Sequence, residues 1–215
     1  MSAAVVNAYQ DPQHNTMAFP AGIVQPPLFH ENYPAYINFG GIGMVIGHEI
    51  SHGFDNMGRQ YDTQGNLRDW WTDSTSAEFR HRAQCFEDQY SAFTFEGPGG
   101  QTMHVNGNKT ANENIADSIG LKAAYKAWKI YSEEHPEENY DLPGLEAYTH
   151  DQLFFMAFSH NWCSGYTPEQ RANRARVDTH SLDTFRILGS LQNSVEFKES
   201  FKCKEKEATC TVWTN

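Results

Sequence analysis

The sequence predicts a mostly helical α+β domain with one small sheet, spanning residues 1–215 as a single unit. Three observations support this. Long segments repeat apolar residues at helical spacing, strand-like runs are short and few, and clusters of Gly, Pro, Asn and Asp separate the segments. Taken in order, Val5–Tyr9 reads as a short strand at the sheet edge, ended by Asp11-Pro12. Pro20, Gly22, Pro26 and Pro27 make Phe19–Leu28 a loop. A helix starts around Asn38 and runs to Gly53. Its glycines Gly40, Gly41, Gly43 and Gly47 each cost about 1 kcal/mol against Ala, so close packing or function must justify them.

Asp62–Asn66 is a turn, and Thr72 or Asp73 caps a helix through Tyr90. Gly97–Gly100 and Val105–Gly107 are turns near a hairpin. Thr110 starts a helix carrying Ile115, Ile119, Leu121, Tyr125 and Trp128. A polar loop, Glu133–Leu142, precedes an aromatic-rich helix over Leu145–Trp162. Shorter helices follow at Pro168–Arg176, Asp183–Leu191 and Val195–Phe201.

Composition narrows the function. The formal net charge is −11 and no basic cluster occurs, which points away from nucleic acid. No apolar run approaches the ~20 residues of a membrane span. Four cysteines without a C-x-x-C pair suggest disulfides, with three pairings open, rather than a thiolate metal site. Disulfides imply an oxidising, extracellular setting, and the sequon at Asn108 agrees with it.

His48-Glu49-Ile50-Ser51-His52 carries the chemistry. On a helix, positions i and i+4 share a face, so both imidazoles reach one metal ion. Glu49 is offset by about 100°, within reach of a water beside that ion and outside the ligand set. A catalytic zinc takes three protein ligands and leaves a position open. Farther along, Glu113 and Asp117 again stand at i and i+4; one carboxylate suits the metal and the other a ligand histidine. Glu113 equally fits a capping box with Thr110.

These segments resemble the catalytic C-terminal portion of the neprilysin and endothelin-converting-enzyme family of zinc endopeptidases. The matching stretches are Val6–Tyr9, Phe19–Ile23, Phe39–Phe54, Glu113–Asp117, Asp178–Ser181, Phe185-Arg186 and Cys210–Trp213, in the family's order. The resemblance implies a zincin fold with an active-site helix and one zinc ion on His48, His52 and Glu113. By the same resemblance Glu49 is the base, Asp117 and Asp55 orient the ligand histidines, and His180 stabilises the oxyanion. Asn7 and Ala8 then clamp the substrate backbone, and Arg186 holds its carbonyl. Ile23, Leu28, Met44, Val45 and Trp162 form the pocket for a large hydrophobic residue, with cleavage of oligopeptides on its amino side.

The resemblance also pairs Cys85 with Cys210 and leaves Cys163 and Cys203 without partners inside this chain. It implies a parent with an N-terminal helical lobe over the site, so that apolar surface exposed here favours self-association. The sequence departs from the family at Gln10, Asn112, Ser118-Ile119 and Asn161, none of them a ligand or the base, and continues through Thr214-Asn215 past the usual terminal tryptophan. A rival expectation from another class is a zinc-binding fold that binds peptides without cleaving them. A structural zinc site would want four closed ligands, and three are apparent.

Overall fold

The computed structural model describes residues 2–213; Met1 and the Thr214-Asn215 end lie outside them. The longest helix, α4 (Gly107–Glu134), is the spine of the molecule. It starts earlier than Thr110 because Asn106 caps it, accepting the Lys109 backbone N–H at 3.0 Å. With the cap supplied by Asn106, Glu113 has no capping role and faces the neighbouring helix.

Helix α4 feeds two aromatic cores. Ile115 packs with Phe79, Phe86 and Tyr90 of α3 (Asp73–Ser91) and with Phe185 of α7 (Asp183–Gln192). One to four turns later Leu121, Ala124 and Trp128 pack with Phe154, Phe155 and Phe158 of α5 (His150–His160) and with Tyr36 of α1 (Ala35–Asn38). The expected helix α5 is shorter than Leu145–Trp162 because Thr149 and Gln152 form a capping box that fixes its start.

The expected helix from Asn38 to Gly53 is one continuous helical run. It begins at α1, passes through a π-helical turn at Phe39–Gly43, and continues as α2 (Met44–His52). The glycines have the packing reason that their cost demanded. A Cβ on Gly47 would stand 2.6 Å from the Gly120 carbonyl oxygen, and one on Gly120 would stand 2.5 Å from the His48 nitrogen. Helices α2 and α4 therefore cross backbone to backbone.

The sheet is smaller than expected and divided. Strands β1 (Tyr9–Asp11) and β2 (Thr16–Ala18) form one antiparallel hairpin; β3 (Thr94–Glu96) and β4 (Thr102–His104) form another. The edge strand thus begins at Tyr9 where Val5–Tyr9 was expected. Val5 and Val6 are exposed with no strand beside them, and β-branching alone does not make a strand without a partner. Asp11 sets the turn by accepting the backbone N–H groups of Gln13 and His14. Helices α6 (Pro168–Val177) and α8 (Val195–Ser200) complete the chain, and Glu133-Glu134 belong to α4 rather than to the loop. Cys85 on α3 is bonded to Cys210, which anchors the C-terminal segment and buries Val212; Cys163 and Cys203 are free thiols. No helix of the described residues is long and apolar enough to cross a membrane.

Candidate active site

The crossing of α2 over α4 brings three donor atoms to one point. His48 Nε2 and His52 Nε2 are 3.0 Å apart, and Glu113 Oε2 lies 3.3 and 3.5 Å from them. A tetrahedral ion with bonds of about 2.0–2.1 Å needs ligand atoms roughly 3.3–3.4 Å from one another. The observed spacings, 3.0 to 3.5 Å, bracket that edge length. Glu113 Oε2 is buried without a well-directed hydrogen-bond donor, an acceptor that a cation would satisfy. The donor set of two imidazoles and one carboxylate suits zinc.

The opposite ring nitrogens are also committed. His48 Nδ1 stands 2.8 Å from Asp117 Oδ1, and His52 Nδ1 stands 2.8 Å from Asp55 Oδ2. Asp55 is hydrogen-bonded to His52 Nδ1, and Asp117 stands at the same distance from His48 Nδ1; a proton on each Nδ1 leaves the Nε2 lone pair facing the common point. Both carboxylates are fixed in turn. Asp55 Oδ1 accepts the backbone N–H groups of Met57 and Gly58, at 2.7 and 2.8 Å. Asp117, fully buried, receives Arg186 Nε at 2.8 Å and Nη2 at 2.6 Å. Burial works to raise the Asp117 carboxyl, and Arg186 with His48 outweighs it, holding it at about 2.

Glu49 is buried beside the histidines. Burial raises its carboxyl above the usual range, against the downward pull of His48 and His52. That moves it toward the range useful to a general base. His180 approaches from the opposite wall, its Nε2 at 3.1 Å from Glu113 Oε2 and its Nδ1 at 2.8 Å from Asp178 Oδ1. Burial alone would lower this imidazole, and its contacts with Glu113 and Asp178 outweigh that and raise it.

One cavity of about 670 Å³ gathers nearly every residue singled out from the sequence. Asn7 and Ala8 line it just ahead of β1, outside the strand itself. Ile23, Leu28, Met44, Val45 and Trp162 form its apolar wall, and Glu49, His180 and Arg186 its polar one. Asp117 sits behind this surface, reaching it through His48 and Arg186. Asn108 is exposed in the first turn of α4, its amide on Glu87 at 2.9 Å.

Two supporting residues have no separate role in the sequence reading. Asp178 orients His180, taking its backbone N–H at 2.9 Å as well as its ring. Asn114 accepts the Ser181 hydroxyl at 2.8 Å and so ties the His180 loop to α4. Asp178 and Ser181 flank His180 in the chain, and Asn114 follows Glu113 directly; that adjacency was the available signal.

A helix bearing His-Glu-x-x-His, a glutamate from a crossing helix, and a carboxylate behind each histidine define the arrangement of a gluzincin-type metallopeptidase. The chain belongs to peptidase family M13, whose model matches residues 7–212. Neprilysin-1 of Caenorhabditis elegans is 46% identical over 217 residues, and human neprilysin 47% over 216. These alignments cover 99% and 98% of this chain and 28% of each relative, so the chain spans little over a quarter of their length. Among solved structures, the zinc metalloprotease ZMP1 of Mycobacterium tuberculosis, in complex with inhibitor, superposes with a TM-score of 0.87 at 36% identity. It covers 100% of this chain and 33% of its own. A Haemonchus galactose-containing glycoprotein complex gives 0.88 at 35%, covering 99% and 36%. These neighbours bear out the zincin-type, mostly helical fold.

Proposed function

We propose that this chain carries a zinc endopeptidase site that hydrolyses oligopeptides on the amino side of hydrophobic residues. The observation that carries it is the meeting of His48 Nε2, His52 Nε2 and Glu113 Oε2 at tetrahedral spacing beside the buried Glu49. His48, His52 and Glu113 would hold one zinc ion. Bound there, zinc supplies a Lewis acid that polarises the scissile carbonyl and lowers the pKa of water.

The remaining steps belong to the protein. Glu49 takes the proton of the attacking water and passes it to the leaving amine. His180, held by Asp178, donates from Nε2 to the carbonyl oxygen as it becomes negative. Asn7 and Ala8 pair with the substrate backbone as an added strand. Arg186 holds a substrate carbonyl through N–H groups that it does not spend on Asp117. Ile23, Leu28, Met44, Val45 and Trp162 receive the side chain that follows the scissile bond.

An extracellular location and an N-terminal lobe elsewhere in the parent protein complete the proposal; the Cys85–Cys210 disulfide supports the first, and the length of the relatives the second. The test is cleavage of a quenched fluorogenic peptide, together with metal analysis. One zinc per chain and activity abolished by a chelator and restored by zinc are expected. Bound zinc without cleavage would favour a peptide-binding module instead.

A further inference from the structure

Asn161, at the C-terminal end of α5, stands in the wall of the substrate cavity among apolar neighbours that include Met44, Val45 and Trp162. Its amide orientation is set by one bond, Nδ2 donating to the Gly40 carbonyl at 3.3 Å. That leaves Oδ1 as a neutral acceptor. Among the described residues no donor is hydrogen-bonded to it, and Asn161 itself lines the cavity. A hydrogen-bond acceptor set in an apolar wall changes what the wall selects. A phenylalanine or leucine seated there strips water from Oδ1 and returns nothing. A small polar residue replaces the water and leaves the apolar wall uncovered. A lysine places a second cation near Arg186, whose guanidinium already lies 3.7 Å from the Trp162 ring centre. An aromatic body with an O–H at its tip satisfies both requirements.

We propose that Asn161 is a specificity residue that makes this site prefer tyrosine over phenylalanine directly after the scissile bond. The proposal rests on the peptidase reading above and names the substrate class within it. The test uses two peptides identical except for Tyr or Phe at that position, with the zinc-loaded 215-residue chain and its Asn161→Val variant. In the unaltered chain the Tyr peptide is expected to have kcat/KM about five- to tenfold above the Phe peptide. In Asn161→Val the ratio is expected to fall to one or below, because that acceptor is then gone from the wall. Competition binding of both peptides to zinc-loaded Glu49→Gln gives the same ratio without turnover. Equal ratios in the unaltered chain and Asn161→Val, by cleavage and by binding, overturn the specificity proposal alone. Failure to bind or cleave either peptide overturns the peptidase reading, and this proposal with it.

Discussion

Helix α2 has two faces, and they reverse the pattern of an ordinary surface helix. The polar face is inside: His48 and Glu49 are each 6% exposed against α4. On the other side Ile46 and Ile50 are 39% and 50% exposed, and Phe54, just past the helix end, is 46% exposed. That outer side borders an apolar groove with Trp70, Trp71, Ile119 and Trp213. The difference teaches that burial here follows compensation as well as hydrophobicity. The histidines are inside because Asp117, Asp55 and Glu113 satisfy them, whereas the isoleucines lack a covering element among the described residues. We propose this uncovered apolar surface as the face through which the self-association expected from the sequence would occur.

The comparison is broken most completely from the polar face. Glu49→Gln is expected to reduce peptide turnover by roughly a thousandfold or more while one zinc per chain is retained. His48→Ala is expected to lose zinc and turnover together. Steady-state cleavage and metal analysis on the same samples check both. Full activity in Glu49→Gln would sink the assignment of the base.

A smaller effect separates the two supporting carboxylates. Asp117→Ala is expected to weaken zinc binding about 10- to 100-fold, and to destabilise the fold by leaving the buried Arg186 unpaired. Asp55 supports the more exposed histidine, His52, so Asp55→Ala should fall at the low end of the same range. Competitive zinc titration with a fluorescent chelator ranks them, and thermal unfolding should show the larger drop for Asp117→Ala, since Asp55→Ala frees only the Met57 and Gly58 N–H groups. Equal losses of stability would mean that Arg186 does not depend on Asp117.

The smallest effect comes from the outer face. Ile50→Ser and Phe54→Ser together should leave zinc affinity within about twofold, since both residues line the outer groove and not the metal cavity. They should shift the chain toward monomer in sedimentation velocity. If the double variant associates as strongly as the unaltered chain, the groove is not the contact face.

Much of the site was legible because its pieces are local. His48 and His52 share a helical face by spacing alone, as do Glu113 and Asp117, and Asp55 follows His52 within one turn. The Thr72 and Pro168 helix starts were equally legible, since caps and prolines act on the nearest few residues. The strand at Val5–Tyr9 was misplaced for the complementary reason: strand formation needs a partner, and β2 pairs with Tyr9–Asp11.

The sequence by itself determined which residue types stand on one helical face, because helix periodicity is a property of the backbone that needs no distant contact. It left Glu113 between two roles, a cap with Thr110 and a ligand with His48. Only the tertiary structure decided between them. Asn106 took the cap, and the two aromatic cores drew α4 against α2 until Gly47 and Gly120 met. Which backbones touch is set by burying cores far apart in the chain. That contact brings two separately readable motifs together as one candidate metal site.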